Sequence, residues 1–94
     1  MSKQFIFSDG SVVEWVDKES LRYSENGFSI TVWVDFEFGL FSRGRVIKAS
    51  SVAYWDIRPV GCSDDIDKDK KDEILDKLKL YYQSFNTKLR IEPA

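Results

Sequence analysis

From Phe28 to Phe38 the chain alternates apolar and polar residues without a break. Phe28, Ile30, Val32, Val34, Phe36 and Phe38 take one set of positions, and Ser29, Thr31, Trp33, Asp35 and Glu37 take the other. A period of two is the mark of a strand with one buried face. The second face is unusual. It carries one Trp, two hydroxyls and two carboxylates, with nothing basic, and such a back side suits a cationic partner. A chain organised around this strand must supply an apolar layer to cover its first face.

The second half of the sequence supplies one. From Ser63 to Lys79 charge is dense, and the apolar residues fall at helical spacing. Ile74, Leu78, Tyr81 and Phe85 form a stripe that Leu75 and Tyr82 widen. Asp67 is placed to cap the helix, with Asp64 and Asp65 just ahead, where negative charge suits the helix dipole. Asn86 suits the left-handed residue that ends a helix. Leu89 and Ile91 then alternate with Lys88, Arg90 and Glu92, which predicts a short last strand stopped by Pro93.

Ahead of the long strand, Gln4–Phe7 and Val12–Val16 read as a hairpin closed by Asp9-Gly10, and Leu21–Ser24 as a third strand. Asn26-Gly27 is the strongest turn signal, set for a type I′ hairpin into Phe28. After a loop over Gly39–Gly44, Arg45–Trp55 is again β-rich, weakened at Lys48–Ser51, where a bulge or bend is expected. The fold class that follows is α+β: an antiparallel sheet of five to six strands, one C-terminal helix packed on one face, and a short final strand. Residues 1–94 form a single domain, since no repeat, linker or low-complexity stretch divides them.

Composition narrows the function. The net charge of −2 argues against direct nucleic-acid binding, which needs a basic footprint. No apolar run approaches the roughly 18 residues of a membrane span, and the N-terminus lacks the apolar core of a secretion signal. A single cysteine, Cys62, fits a reducing compartment. A soluble cytoplasmic protein is expected.

Chemistry is thin. The absence of histidine removes the commonest general base and metal ligand, and with them serine- and cysteine-based triads and histidine-containing zinc sites. Asp64, Asp65, Asp67 and Asp69 stand near one another as acids do in a calcium loop. The glycine at the sixth position and the glutamate at the twelfth are both missing, so a solvated, capped helix start is the plainer reading. Asp35 and Glu37, roughly 6–7 Å apart on one strand face, have a spacing usable in glycosidase-type catalysis. A flat exposed sheet offers no pocket to shift their pKa values, so a polar face is again the plainer reading. Cys62 has no His or Lys beside it in sequence to activate the thiol. No catalytic residue, metal or cofactor is expected. Trp33 stands out as a binding anchor, because exposed Trp is a typical interface hot spot. Its alternative role is a cross-strand stack on Tyr23 or Tyr54. Trp55 is expected at the core rim, and Trp15 on either face.

At Trp55-Asp56 and beyond, the chain resembles a known family. A β-rich first half ends in a Trp followed by an acid. A loop leads to an acidic helix start, the run Lys70–Leu75 opens an amphipathic helix, and a short strand such as Thr87–Glu92 closes the chain. This layout is similar to that of small bacterial immunity proteins, in particular the family catalogued as immunity protein seventy-four. The resemblance implies a stoichiometric inhibitor of a cognate toxin domain from a polymorphic or contact-dependent system. It further implies that the toxin is often a nuclease and cationic around its substrate groove. It implies no catalytic set. Charge and exposure then nominate two acidic patches for the partner: Asp35 and Glu37 around Trp33, and Asp64, Asp65, Asp67, Asp69, Asp72 and Glu73 at the helix start, diluted by Lys68, Lys70 and Lys71. The alternative is a non-catalytic interaction domain of a phage or bacterium that dimerises through a sheet edge.

Overall fold

The computed structural model describes residues 4–38 and 43–92. The side chains of residues 36–38 and 43 lie outside that description, as does most of the loop expected over Gly39–Gly44. Strands β1 (Gln4–Ile6), β2 (Val12–Asp17), β3 (Ser20–Glu25) and β4 (Phe28–Trp33) form an antiparallel meander. Strands β5 (Asp35–Phe38), β6 (Arg43–Lys48) and β7 (Lys88–Glu92) form a second sheet. A short 3-10 turn (Ala49–Ser51) follows β6, and the helix α1 (Lys68–Gln83) precedes β7.

The α+β class, the C-terminal helix and the final strand are as the sequence predicts. The division of the strands is different, and the long alternating run explains why. Eleven residues in one strand would span about 36 Å, well beyond the usual five or six residues. The neighbouring β3 begins only at Ser20, opposite Trp33, so the ladder has no partner further on. The Val34 amide makes one last bond, to the Glu19 carbonyl at 2.8 Å. Beyond it the chain changes neighbours, and Asp35 to Phe38 pair with β6. The period-two pattern holds as far as Asp35, the last residue of the run whose side chain is described. Ile30, Val32 and Val34 are all buried while Trp33 and Asp35 are exposed.

The second departure is that β7 pairs with β6 in parallel. A parallel neighbour needs a long crossover, and here the segment from Ala49 through α1 provides it. The weak stretch after β6 is the 3-10 turn, where Ser51 Oγ donates to the Lys48 carbonyl at 2.6 Å. The expected strand to Trp55 is therefore not continuous. Beyond the turn only isolated bridges remain, Tyr54 with Asp65 and Ile57 with Ser29.

Helix α1 packs against β7 and β2. One core cluster joins both sheets and the helix: Val13, Leu21, Tyr23, Ile30 and Val32 from the meander, Val34 and Ile47 from the corner and the second sheet, and Ile74, Leu75, Leu78 and Tyr81 from α1. Each such side chain, taken fully out of water, contributes roughly 1.5–3 kcal/mol. Asp67 caps the helix as expected, its Oδ1 accepting from the Lys70 amide at 2.8 Å. The apolar stripe ends at Tyr81, because Phe85 lies past the helix and is 42% exposed. Asn86 adopts the left-handed conformation expected of it, with φ of 56°.

Candidate functional site

Since α1 covers one face of the meander, its other face is the outer one. Cross-strand partners share a face, so the register gives the composition of that surface row by row. Ile6, Val12, Ser24 and Ser29 form one row, extended by Ile57. Gln4, Glu14, Arg22 and Thr31 form the next, and Ser20 with Trp33 a third. The centre mixes the hydroxyls of Ser24, Ser29 and Thr31 with the longer side chains of Glu14 and the exposed Arg22. Three large side chains stand up at its margins: Ile6 at 65% exposed, Ile57 at 59% and Trp33 at 64%.

Trp33 therefore sits on the polar face and out of the core. Its cross-strand neighbour is Ser20, so the expected stack on Tyr23 or Tyr54 does not form. Tyr23 is buried on the opposite face, and Tyr54 is itself 62% exposed. Ser is too small to cover an indole, which leaves most of the ring in water. The two other tryptophans divide as their strands dictate. Trp55 is buried, with ring centroids 5.0 Å from Phe28 and 6.2 Å from Tyr23. Trp15 pairs with Leu21 on the inner face and is 39% exposed.

The edge of β4 beside this surface is sealed. The Ser29 amide donates to the Ile57 carbonyl at 2.9 Å, and the Ile57 and Asp56 amides both donate to the Ser29 carbonyl. The Asp56 carboxylate accepts from the Thr31 amide at 2.7 Å. An edge closed in this way does not recruit another strand, so recognition at this side falls to side chains. Asp56, the acid after Trp55, thus has a structural role. Along β4 the outer row runs from Ser29 and Ile57 through Thr31 to Trp33, about 13 Å away.

The two acidic patches differ from their reading in sequence. Asp35 is exposed on β5, and its row continues through Val46 to Arg90 on β7; the row of Glu37 continues through Gly44 to Lys88. A face that bears nothing basic within its own strand gains two cations two strands away, about 10 Å across the sheet. The Glu37 side chain lies outside the described residues. At the helix start, Asp67 is engaged in the cap, and Glu73 in ion pairs with Lys70 at 2.8 Å and Lys77 at 3.4 Å. Asp64, Asp65, Asp69 and Asp72 remain exposed, and no ion pair among the described residues involves them. The helix start thus keeps four exposed carboxylates, with Lys68 and Lys71 interspersed among them.

Between the helix and the meander lies a polar network that the sequence pattern did not single out. Lys77 Nζ donates to Asp9 Oδ2 at 2.6 Å, Ser11 Oγ at 2.8 Å and the Tyr23 hydroxyl at 3.2 Å. Tyr23 donates to Glu25 at 2.6 Å, and Lys70 bonds both Glu25 oxygens at 3.0 Å. Lys77 Nζ also stands 5.5 Å from the ring centres of Phe7 and Tyr23, within cation–π range. The hydrogen bond from Lys77 holds the Asp9 carboxyl well below the usual carboxylate range. Burial works against the Lys77 charge, but its bonds to Asp9 and Tyr23 outweigh this and keep the ammonium above its usual range. The available signal was the position of Lys77 inside the apolar stripe, three residues after Ile74 and one before Leu78. These groups satisfy one another and fasten α1 to the sheet.

Among the described residues, no group of three or more carboxylates or cysteines is arranged to hold a metal ion, and no helix is long and apolar enough to cross a membrane. Comparisons with protein-family models, with curated proteins and with solved structures find no match to this chain.

Proposed function

We propose that this protein is a binding module that neutralises a cognate bacterial toxin domain by covering it, in the manner of the immunity proteins it resembles. The observation that supports this reading best is Trp33, held 64% exposed on the open outer face of the sheet. A rigid aromatic side chain standing clear of its cross-strand neighbour Ser20 is well suited to fill a pocket on a partner, and such residues carry much of the energy of protein interfaces. Ile57 and Thr31 extend the contact surface along the same strand edge.

The expected partner is a nuclease-type domain, cationic where it holds its substrate. The exposed carboxylates Asp64, Asp65, Asp69 and Asp72 supply complementary charge, which speeds encounter and disfavours wrong partners. The work is binding rather than catalysis, done in the cytoplasm where the toxin would act, and needs no metal or cofactor. The test is co-expression with the toxin domain encoded by the adjacent gene. Cells that survive only when this protein is made, together with a one-to-one complex on a sizing column, support the reading. Cell death while both proteins are soluble overturns it.

A further inference from the structure

We infer that the open edge of β7, with the groove between it and the C-terminal end of α1, takes up an extended acidic segment of a partner polypeptide as an added strand. The inference does not depend on the toxin reading. β7 ends the second sheet: β6 pairs with one of its edges, and no strand among the described residues pairs with the other. Of the other strands that end a sheet, β4 is closed by Asp56 and Ile57, and β1 and β5 offer only three and four residues. β7 offers five, about 16 Å of backbone. The outward N–H and C=O groups of such an edge are a template for another strand.

Beside this edge lies a groove of about 340 Å³, lined by Lys79 and Gln83 of α1 and by Thr87, Lys88 and Leu89. The tight connection between α1 and β7 fixes its walls: the Thr87 amide donates to the Tyr82 carbonyl and the Asn86 amide to the Gln83 carbonyl, each at 3.0 Å. Charge names the occupant. Lys79 and Lys88 are exposed, no ion pair among the described residues involves either, and no described carboxylate lines the groove. In a chain of net charge −2 this is a local reversal of sign. Arg90 lines the groove too but already has an interaction of its own, so the two lysines carry the recognition. Lysine beside an edge deters basic strands, whereas an acidic strand meets opposite charge. Leu89 packs toward the core, so Lys88 takes the other face of β7, while Lys79 stands on the helix side. Neighbouring residues of an added strand also point to opposite faces, so a run of consecutive acids meets both lysines.

The probe is a capped six-residue peptide, Thr-Glu-Glu-Val-Glu-Thr, titrated into the full chain while backbone amide signals are followed by NMR. Saturable shifts and slowed amide exchange are expected along Lys88–Glu92, with shifts at Lys79 and Gln83 and none at Trp33. The same peptide with lysine for glutamate should bind about tenfold or more weakly, the effect of two exposed ion pairs. Two further versions, N-methylated at the odd or at the even backbone amides, test the strand itself: one should lose binding and the other keep it, because only alternate amides face β7. Lys79→Glu with Lys88→Glu changes only exposed side chains, so its melting curve should match the native one while its preference turns to the lysine peptide. No saturable shift along β7, equal binding of the two charge types, or binding indifferent to both methylation patterns overturns the inference. So do concentration-dependent shifts along β7 without peptide, which would assign the edge to a second copy of this chain.

Discussion

At the scale of single residues, the ionic contacts between α1 and the sheet decide how the fold responds to pH. Asp9 and Glu73 both titrate below their ordinary values, Asp9 through its hydrogen bond from Lys77 and Glu73 through that from Lys70. A carboxyl held low in the folded state adds stability that is complete above its unfolded value and is lost as pH falls through the folded one. Lys70 and Lys77 are held above their ordinary value of 10.5, and the Tyr23 hydroxyl is pushed up by burial. A group held high adds stability that is complete below its unfolded value and is lost as pH rises through the folded one. The protein should therefore be most resistant to urea between about pH 5 and pH 9, weakening on both sides. Asp9→Asn separates the acid limb. Its urea midpoint should lie below that of the native protein at pH 7, and the gap should be clearly smaller at pH 2, where the unfolded native chain has already taken up the proton. A gap of equal size at the two pH values would show that Asp9 acts through packing rather than through its charge.

At the scale of elements, turns and faces were legible in the sequence, whereas the partner of each strand was not. Asn26-Gly27 has φ values of 46° and 85°, so the hairpin takes the left-handed backbone that its residues foretold. A side chain at Gly27 would suffer twice, since its Cβ would also stand 3.2 Å from Pro59 Cγ. Gly27→Ala should cost about 1–2 kcal/mol in chemical denaturation. Repeating it in a Pro59→Ala background should recover the part due to contact but not the part due to φ, and full recovery would refute the conformational share. Val34 shows where pattern reading stopped. Periodicity reports which face a residue takes, and Val34 is indeed 3% exposed. It carries no information on which neighbour a strand pairs with, and Val34 is where the neighbour changes. The parallel pairing of β7 escaped for the same reason. Trp33, Asp35 and the capping Asp67 were readable because face and cap are local properties. The Lys77 network was not, because it joins residues tens of positions apart. Val34→Asp would bury a carboxylate at the corner between the sheets with no partner. It should abolish folding, and a soluble variant that melts cooperatively would mean that the corner opens to water without cost.

At the scale of the whole molecule, hydrophobic anchor and charge occupy different elements, and this division can be measured. Trp33 stands on the outer face of the meander, whereas Asp64, Asp65, Asp69 and Asp72 gather where the chain enters α1. Long-range attraction acts before contact, so it governs how fast two proteins meet; a packed side chain acts after contact, so it governs how slowly they part. If the proposed toxin domain is the partner, the two groups should control different rate constants. Replacing the four aspartates with asparagine should slow association several-fold at low salt and change dissociation little. The difference from the native protein should shrink as ionic strength rises and the Debye length falls toward about 3 Å at 1 M. Trp33→Ala should leave association nearly unchanged and speed dissociation by roughly 30-fold or more, the effect of losing a hot spot of about 2 kcal/mol. Trp33→Ala changes only an exposed side chain, so its melting curve should match the native one and tie any loss to the interface. The four asparagines also remove charge from the start of α1, at about 0.3–1 kcal/mol for each charge that acts on the helix dipole, so that variant is compared at a temperature where it is fully folded. A Trp33→Ala protein that dissociates at the native rate would remove the sheet face from the interface. An association rate indifferent to salt in the native protein would remove the acidic helix start from the mechanism, and with it the reason to expect a cationic partner.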